Sequence, residues 1–379
     1  MSRLLVPVLV AALVVGIAPA SASDDVSFDD VGEAARAGQW QLAAMRLPEA
    51  WRSSKGEGAV VAVLDTGVNC CHPDLRGAVV QGPDLTGAAK GLWGWHGTAM
   101  ASLIAGRGHG DERKGGVIGV APAARVLSIR VTLENGDPLR VQQRSGGHDA
   151  LARGIRYAVD HGADVISMSL GGGSGAWEGS ASEEEAVKYA IDKGAVLVAS
   201  SGNDGESANR KNFPAAYPGV IAVGAVDRSL DVTRFSNRQD YLSVVAPGTE
   251  IVTADGDDSY VMSDGTSSAA AMVAGIAALI KSAHPDMSPY DVRTAIELGT
   301  RKRPANGHSA AYGHGVADAL LALREADRLD VPAPRLAGPG PYPGDGPPPV
   351  SRGPVVAGMV VLVAAMSAHV LVRHRKRRR

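Results

Sequence analysis

Six short stretches of the chain are apolar almost without interruption: AVVAVLD (59–65), VLSIRV (126–131), ADVISMSL (163–170), AVLVAS (195–200), GVIAVGAV (219–226) and LSVVAP (242–247). Runs of this length, rich in Val and Ile and bounded by turn residues, read as strands buried on both faces. Between them, DALARGIRYAVDHG (149–162) and EEEAVKYAIDKG (183–194) start acidic and stop at Gly, which predicts helices. Strands alternating with helices predict an α/β domain over 56–326, a three-layer fold with a mostly parallel central sheet and helices on both faces. In such sheets ligands bind beyond the carboxyl ends of the strands, so that edge is where chemistry is expected.

The two ends of the chain carry a different pattern. Residues 1–22, MSRLLVPVLVAALVVGIAPASA, combine a basic residue at Arg3, an apolar run and a small-residue exit at Ala20 and Ala22, which reads as a cleaved export signal. Residues 23–55 form an N-terminal extension ahead of the first strand. After the body, 327–353 is a Pro/Gly-rich linker; its stretch 331–352 alone holds eight of the 22 prolines and behaves as an extended spacer. Pro354 to Val372 runs 19 residues without a charge, about 28 Å as a helix, enough to span a bilayer. The tail 373–379, RHRKRRR, then marks the cytoplasmic side by the positive-inside rule. The body is therefore expected outside the cytoplasm, at the cell membrane, held by one C-terminal span.

Composition adds two points. At 45 % hydrophobic residues the chain has ample material for a core, and with only 4 % aromatics that core must be aliphatic. The net charge of −2 hides a basic tail on a mildly acidic body. A polybasic run touching an apolar span is a topology signal or a lipid contact, so no nucleic-acid partner is expected.

The candidate chemistry lies in three places. The first strand ends in Asp65-Thr66-Gly67, WHGTAMASLIAG (95–106) opens on His96, and SDGTSSAAAMVAGIAALI (263–280) sets Ser267 where an Ala-rich helix begins. Each alone is weak; the three in this order, each with its Gly-Thr neighbours, are not easily coincidental, and the family resemblance they carry implies nucleophilic acyl transfer. A Ser hydroxyl needs a base, which His96 supplies, and Asp65 would fix the tautomer of that base. The tetrahedral oxyanion needs donors, for which the Asn203 side chain and the Ser267 backbone N–H at a helix start are candidates. Ser169, Leu170 and Gly171 follow a buried strand whose edge can pair with an extended peptide, a mode that reads backbone and implies polypeptide substrates. No compact Asp/Asn loop calls for a metal, DGDD (255–258) being the nearest to one, and no cofactor is expected.

Over roughly residues 45–325 these motifs resemble the subtilisin family of serine proteases (S8). VAVLDTGV resembles its aspartate strand, HGT its histidine motif, SMSLGG (167–172) its substrate-binding strand, ASSGN (199–203) its oxyanion loop, GTSSAA (265–270) its serine motif and YGHGVADALLAL (312–323) its closing segment. The resemblance implies a subtilisin-like fold and a serine endopeptidase with Asp65, His96 and Ser267 as its triad. The export signal, the linker, the single span and HGTA are most similar to the mycosins, membrane-anchored members associated with type VII secretion. That likeness implies processing of exported proteins and a partner in the type VII membrane complex. It also implies a lead-in, QWQLAAMRLPEAW (39–51), that packs on the domain rather than plugging its site. The alternative is a subtilisin-shaped scaffold that stabilises a secretion complex with little or no proteolysis. Three positions depart from the family pattern. Ala271 replaces the usual Pro, Asp264 is expected to raise the pKa of His96, and Trp95 is expected to narrow the cleft.

The only cysteines, Cys70 and Cys71, are adjacent and followed by His72. Side chains of consecutive extended residues point apart and structural zinc needs four ligands, which argues against a metal. A bond between neighbours would be strained, leaving free thiols or a contact with another chain open.

Overall fold

The apolar runs pair edge to edge in the computed structural model, which describes residues 28–88, 93–140, 149–171, 179–256 and 259–330. Three short helices lead in, α1 (Phe28–Ala37), α2 (Gln41–Ala44) and α3 (Leu47–Ala50). There follow β1 (Val60–Asp65), β2 (Val79–Asp84), α4 (Trp95–Ala105), the small hairpin β3 (Arg107–His109) and β4 (Gly115–Ile118), and β5 (Arg125–Arg130). The central units are α5 (Asp149–Asp160), β6 (Val165–Met168), α6 (Ala181–Asp192), β7 (Val196–Ser200), β8 (Ile221–Val226) and β9 (Val244–Pro247). A second hairpin, β10 (Ile251–Ala254) and β11 (Tyr260–Ser263), precedes α7 (Thr266–Ala283) and α8 (Pro289–Leu298). The described part closes with β12 (Thr300–Arg301), β13 (Val316–Ala317) and α9 (Ala319–Leu329).

Among the described residues the main sheet has nine strands in the order β12-β13-β9-β8-β7-β6-β1-β5-β2, parallel except for the β12–β13 pair. From β1 the chain first fills one side of the sheet, with β2 and β5, and then the other, starting with β6. β1 therefore stands at the topological switch, where crossovers diverge and leave a crevice at the carboxyl edge. Alternate residues of each strand feed two cores. Val61 and Val63 of β1 join α4, α7, α8 and α9 on one face, while Ala62 and Leu64 join α5 and α6 on the other. That double burial is why the strands read as unbroken apolar runs.

α7 is mostly apolar and is buried from Ser268 to Lys281, because it lies across the sheet against α4. It is the one helix among the described residues long and apolar enough to cross a membrane, and here it serves as the core helix. Ala271 is fully buried within it and the helix runs through that position unbroken. The segments expected to be an export signal, most of the linker, the 354–372 span and the basic tail lie outside the described residues, as does 172–178 of the Gly-rich loop.

The lead-in is stitched to the body. Met45, Leu47 and Ala50 are fully buried in the first core, Gln39 exchanges two hydrogen bonds of 2.9 Å with the backbone of Ile118, and Arg46 pairs with the buried Asp318 at 2.6 Å.

Cys70 and Cys71 correct the geometric expectation. They sit in a turn, which brings both sulfurs to one side, in contact at 3.9 Å and not joined by a disulfide. Non-reducing mass spectrometry after alkylation of the unfolded protein is expected to find two modified thiols; a mass lower by two hydrogens, with neither thiol modified, would contradict this.

Candidate active site

Asp65 is the last residue of β1, 1 % exposed, so its carboxylate stands at the crevice edge inside the protein. Its Oδ1 accepts the Thr66 backbone N–H at 2.7 Å and the His96 Nδ1–H at 2.7 Å; Oδ2 is buried with no hydrogen-bond partner among the described residues. His96 reaches it because α4 begins directly on the Asp-Thr-Gly turn. A Cβ on Gly97 would lie 2.0 Å from the carbonyl oxygen of Gly67, so only glycine lets the two backbones approach this closely. Thr66 ties the contact further: its hydroxyl accepts the Gly97 N–H at 3.0 Å and its carbonyl accepts the Gly94 N–H at 3.1 Å. The residue types of the two motifs thus follow from their interlocking.

With Nδ1–H donating to Asp65, the neutral ring keeps its lone pair on Nε2, the arrangement a general base needs. The pKa of His96 is raised. Burial, the largest single influence, pulls it down, but the charge and hydrogen bond of Asp65 and the charge of Glu134 together outweigh burial and a smaller opposing effect of Arg140. Asp264 has no part in this. Its Oδ1 accepts the Glu250 N–H at 2.7 Å, so the second charge acting on His96 comes from Glu134 instead. Trp95 also departs from expectation: its ring lies against Gly256, and it is absent from the residues lining the cleft.

Ser267 is the second residue of α7, half-buried, with its hydroxyl donating to the Ser169 carbonyl at 3.3 Å. Ser169 returns the contact, its hydroxyl donating to the Ser267 carbonyl at 2.9 Å. Asp65, His96 and Ser267 line one cleft of about 480 Å³, although no hydrogen bond joins the hydroxyl to the imidazole. Such contacts commonly tighten only when substrate binds.

Asn203 lines the same cleft, with Oδ1 accepting both the backbone N–H and the hydroxyl of Thr266, at 2.9 and 2.8 Å. Because an N–H must meet an oxygen, these bonds fix which way the amide lies and leave Nδ2 as the free donor beside the start of α7. The Ser267 N–H, in the first turn of that helix, has no intrahelical acceptor and is the natural second donor. Asn203→Ala is expected to lower kcat about 10²–10³-fold, the range known for such donors in subtilisins, with KM little changed; steady-state kinetics on a peptide substrate checks it.

Ser169, Leu170 and Gly171 form one wall of the cleft, and Thr132, Glu134 and Asn135 another. Asn212 also lines the cleft, packed against Gly171, with its Nδ2 bonded to the Ser200 carbonyl at 2.8 Å. No residue of the lead-in lines the cleft among the described residues. The sequence motifs brought together are all those of the expected site; Thr66, Glu134, Asn212 and Thr266 are additions that the structure supplies. Thr66 and Thr266 were visible as motif neighbours, whereas no local signal marks Glu134 or Asn212.

The profile of the subtilase family (peptidase S8) matches residues 56–315. The major intracellular serine protease of Bacillus subtilis is 38 % identical over 248 residues, 63 % of this chain and 73 % of that protein. Thermitase of Thermoactinomyces vulgaris is 37 % identical over 271 residues, covering 71 % of this chain and 90 % of thermitase. Among solved structures, MycP1 from the ESX-1 type VII secretion system superposes with a TM-score of 0.65 at 30 % identity, over 81 % of this chain and 88 % of that one.

Proposed function

The chain belongs to the subtilase family of serine endopeptidases, and from that premise we propose that Asp65, His96 and Ser267 are its catalytic triad, in an enzyme tethered outside the cytoplasm that processes proteins exported by a type VII secretion system. The observation that carries the triad is the 2.7 Å bond from His96 Nδ1 to the buried Asp65, at the mouth of a cleft that Ser267 also lines.

The chemistry follows from that arrangement. An extended substrate pairs along 169–171, which lays its scissile carbonyl over Ser267. Ser267 Oγ attacks the carbonyl carbon while His96 Nε2 takes the hydroxyl proton. Asp65 holds the imidazolium, and the Asn203 Nδ2 and Ser267 N–H groups hold the oxyanion. Collapse breaks the C–N bond as His96 returns the proton to the leaving amine. Water, deprotonated by His96, then releases the acyl group and restores Ser267.

The tether and the secretion role rest on the chain ends and on the likeness to MycP1. An export signal over 1–22, an extension over 23–55, a peptidase domain over 56–326, a linker over 327–353, a span over 354–372 and a cytoplasmic tail over 373–379 would hold the cleft facing exported polypeptides. The lead-in lies off the cleft, which supports an enzyme that works without losing it. The test is the set of exported proteins whose termini differ between cells carrying the wild-type chain and cells carrying Ser267→Ala. Specific uncut termini with the variant are expected; identical termini, in cells whose export nonetheless depends on the chain, would favour the scaffold instead.

A further inference from the structure

Glu134 carries no motif, lies in the loop after β5, and is only 4 % exposed although it lines the cleft. Burying a carboxylate is costly unless it is bonded or paired. Its Oε1 accepts the backbone N–H of His96 at 3.2 Å. That N–H belongs to the first turn of α4, where intrahelical acceptors are lacking, and the preceding Gly94 has no side chain to cap it. A carboxylate at that point also meets the positive end of the helix dipole. The bond therefore reaches the catalytic histidine through its main chain.

We propose that Glu134 is a positioning residue of the acylation site, whose buried carboxylate caps α4 at His96 and brings a second negative charge to bear on the imidazole that Asp65 already holds. The inference rests on the triad reading above. The groups that act on the ring are Asp65 from β1 and Glu134 and Arg140 from the segment after β5; Asp204 also lines the cleft, without a resolved effect on the ring. Asp65 and Glu134 stabilise the imidazolium that forms when Ser267 gives up its proton, and Arg140 opposes them. The same balance makes the resting base protonate at higher pH, so the acid limb of kcat/KM stands above that of an ordinary histidine.

Glu134→Gln separates the two effects, since the amide oxygen still accepts the His96 N–H while the charge is gone. The variant is expected to move the acid limb down by about one pH unit, the low end of what a neighbouring charge does. At the alkaline plateau kcat falls about threefold, because a weaker base transfers the proton less well, with KM unchanged. Glu134→Ala removes the acceptor as well and is expected to lower kcat further with the same shift of the limb. A Glu134→Gln enzyme with a wild-type acid limb, or with its whole effect in KM, overturns the proposal. Labelling of wild-type Ser267 by a fluorophosphonate, run alongside, keeps this failure distinct from failure of the triad itself.

Discussion

Ser267→Ala is expected to lower peptide hydrolysis about a millionfold, the magnitude established for loss of the serine in subtilisins. Among the described residues the Ser267 hydroxyl makes one bond, to the Ser169 carbonyl, at the marginal length of 3.3 Å, and its own carbonyl keeps the Ser169 hydroxyl in either variant. Alanine is also the better helix former, so α7 and the core it fills should be undisturbed. Thermal unfolding of the variant should match the wild type, and the lost activity then belongs to the nucleophile alone. Residual hydrolysis is expected to stay about 10³–10⁴ above water, from the oxyanion donors and substrate binding that remain. Steady-state kinetics on a chromogenic peptide, with the melting temperature measured on the same sample, checks both halves.

Asp65→Asn is expected to cost about 10⁴ in kcat, the loss known for this exchange in a serine protease of another fold. Here its origin is legible. The Asp65 Oδ1 orients His96 by accepting from Nδ1 and is itself held by the Thr66 N–H. An Asn that keeps its oxygen toward Thr66 can still hold the ring, but it can no longer stabilise the imidazolium; one that turns its NH₂ inward forces the wrong tautomer on His96. The acid limb of the pH profile should also fall, because the largest influence raising the His96 pKa is the charge of Asp65. Stability moves the other way. Oδ2 is buried and has no partner among the described residues, so a neutral isostere removes a desolvation cost, and the variant should unfold at an equal or higher temperature. A variant with wild-type kcat would remove Asp65 from the mechanism.

The central strands and the three motif residues were legible in the chain because each carries its reason locally. A strand buried on both faces must be apolar throughout, and the glycines and threonines around Asp65, His96 and Ser267 are needed wherever two main chains must interlock. β2 was not legible. It is an edge strand with mixed exposure and contains Gly82 and Pro83, so it offers neither alternation nor an apolar run. β12 and β13, two residues each, are strands only because a neighbouring strand or β9 is there to pair.

At the site the errors have the same origin. Asp264 and Trp95 were read by their nearness in sequence to Ser267 and His96, yet one carboxylate turns to the Glu250 N–H and the indole turns to Gly256. Glu134, which acts on His96, stands 38 residues away from it. Side-chain direction at the end of a helix or strand depends on what the fold brings opposite, which neighbouring residues do not encode. The cysteine pair shows this too: the extended geometry that would part the sulfurs does not apply in the turn they occupy.

The most direct measurement is active-site labelling of the intact, folded protein with a fluorophosphonate, read by mass spectrometry at residue resolution. A single adduct on Ser267 that disappears in Ser267→Ala and is strongly slowed in Asp65→Asn is the result this account predicts. Folded wild-type protein that takes no label, or takes it on another residue, would contradict it.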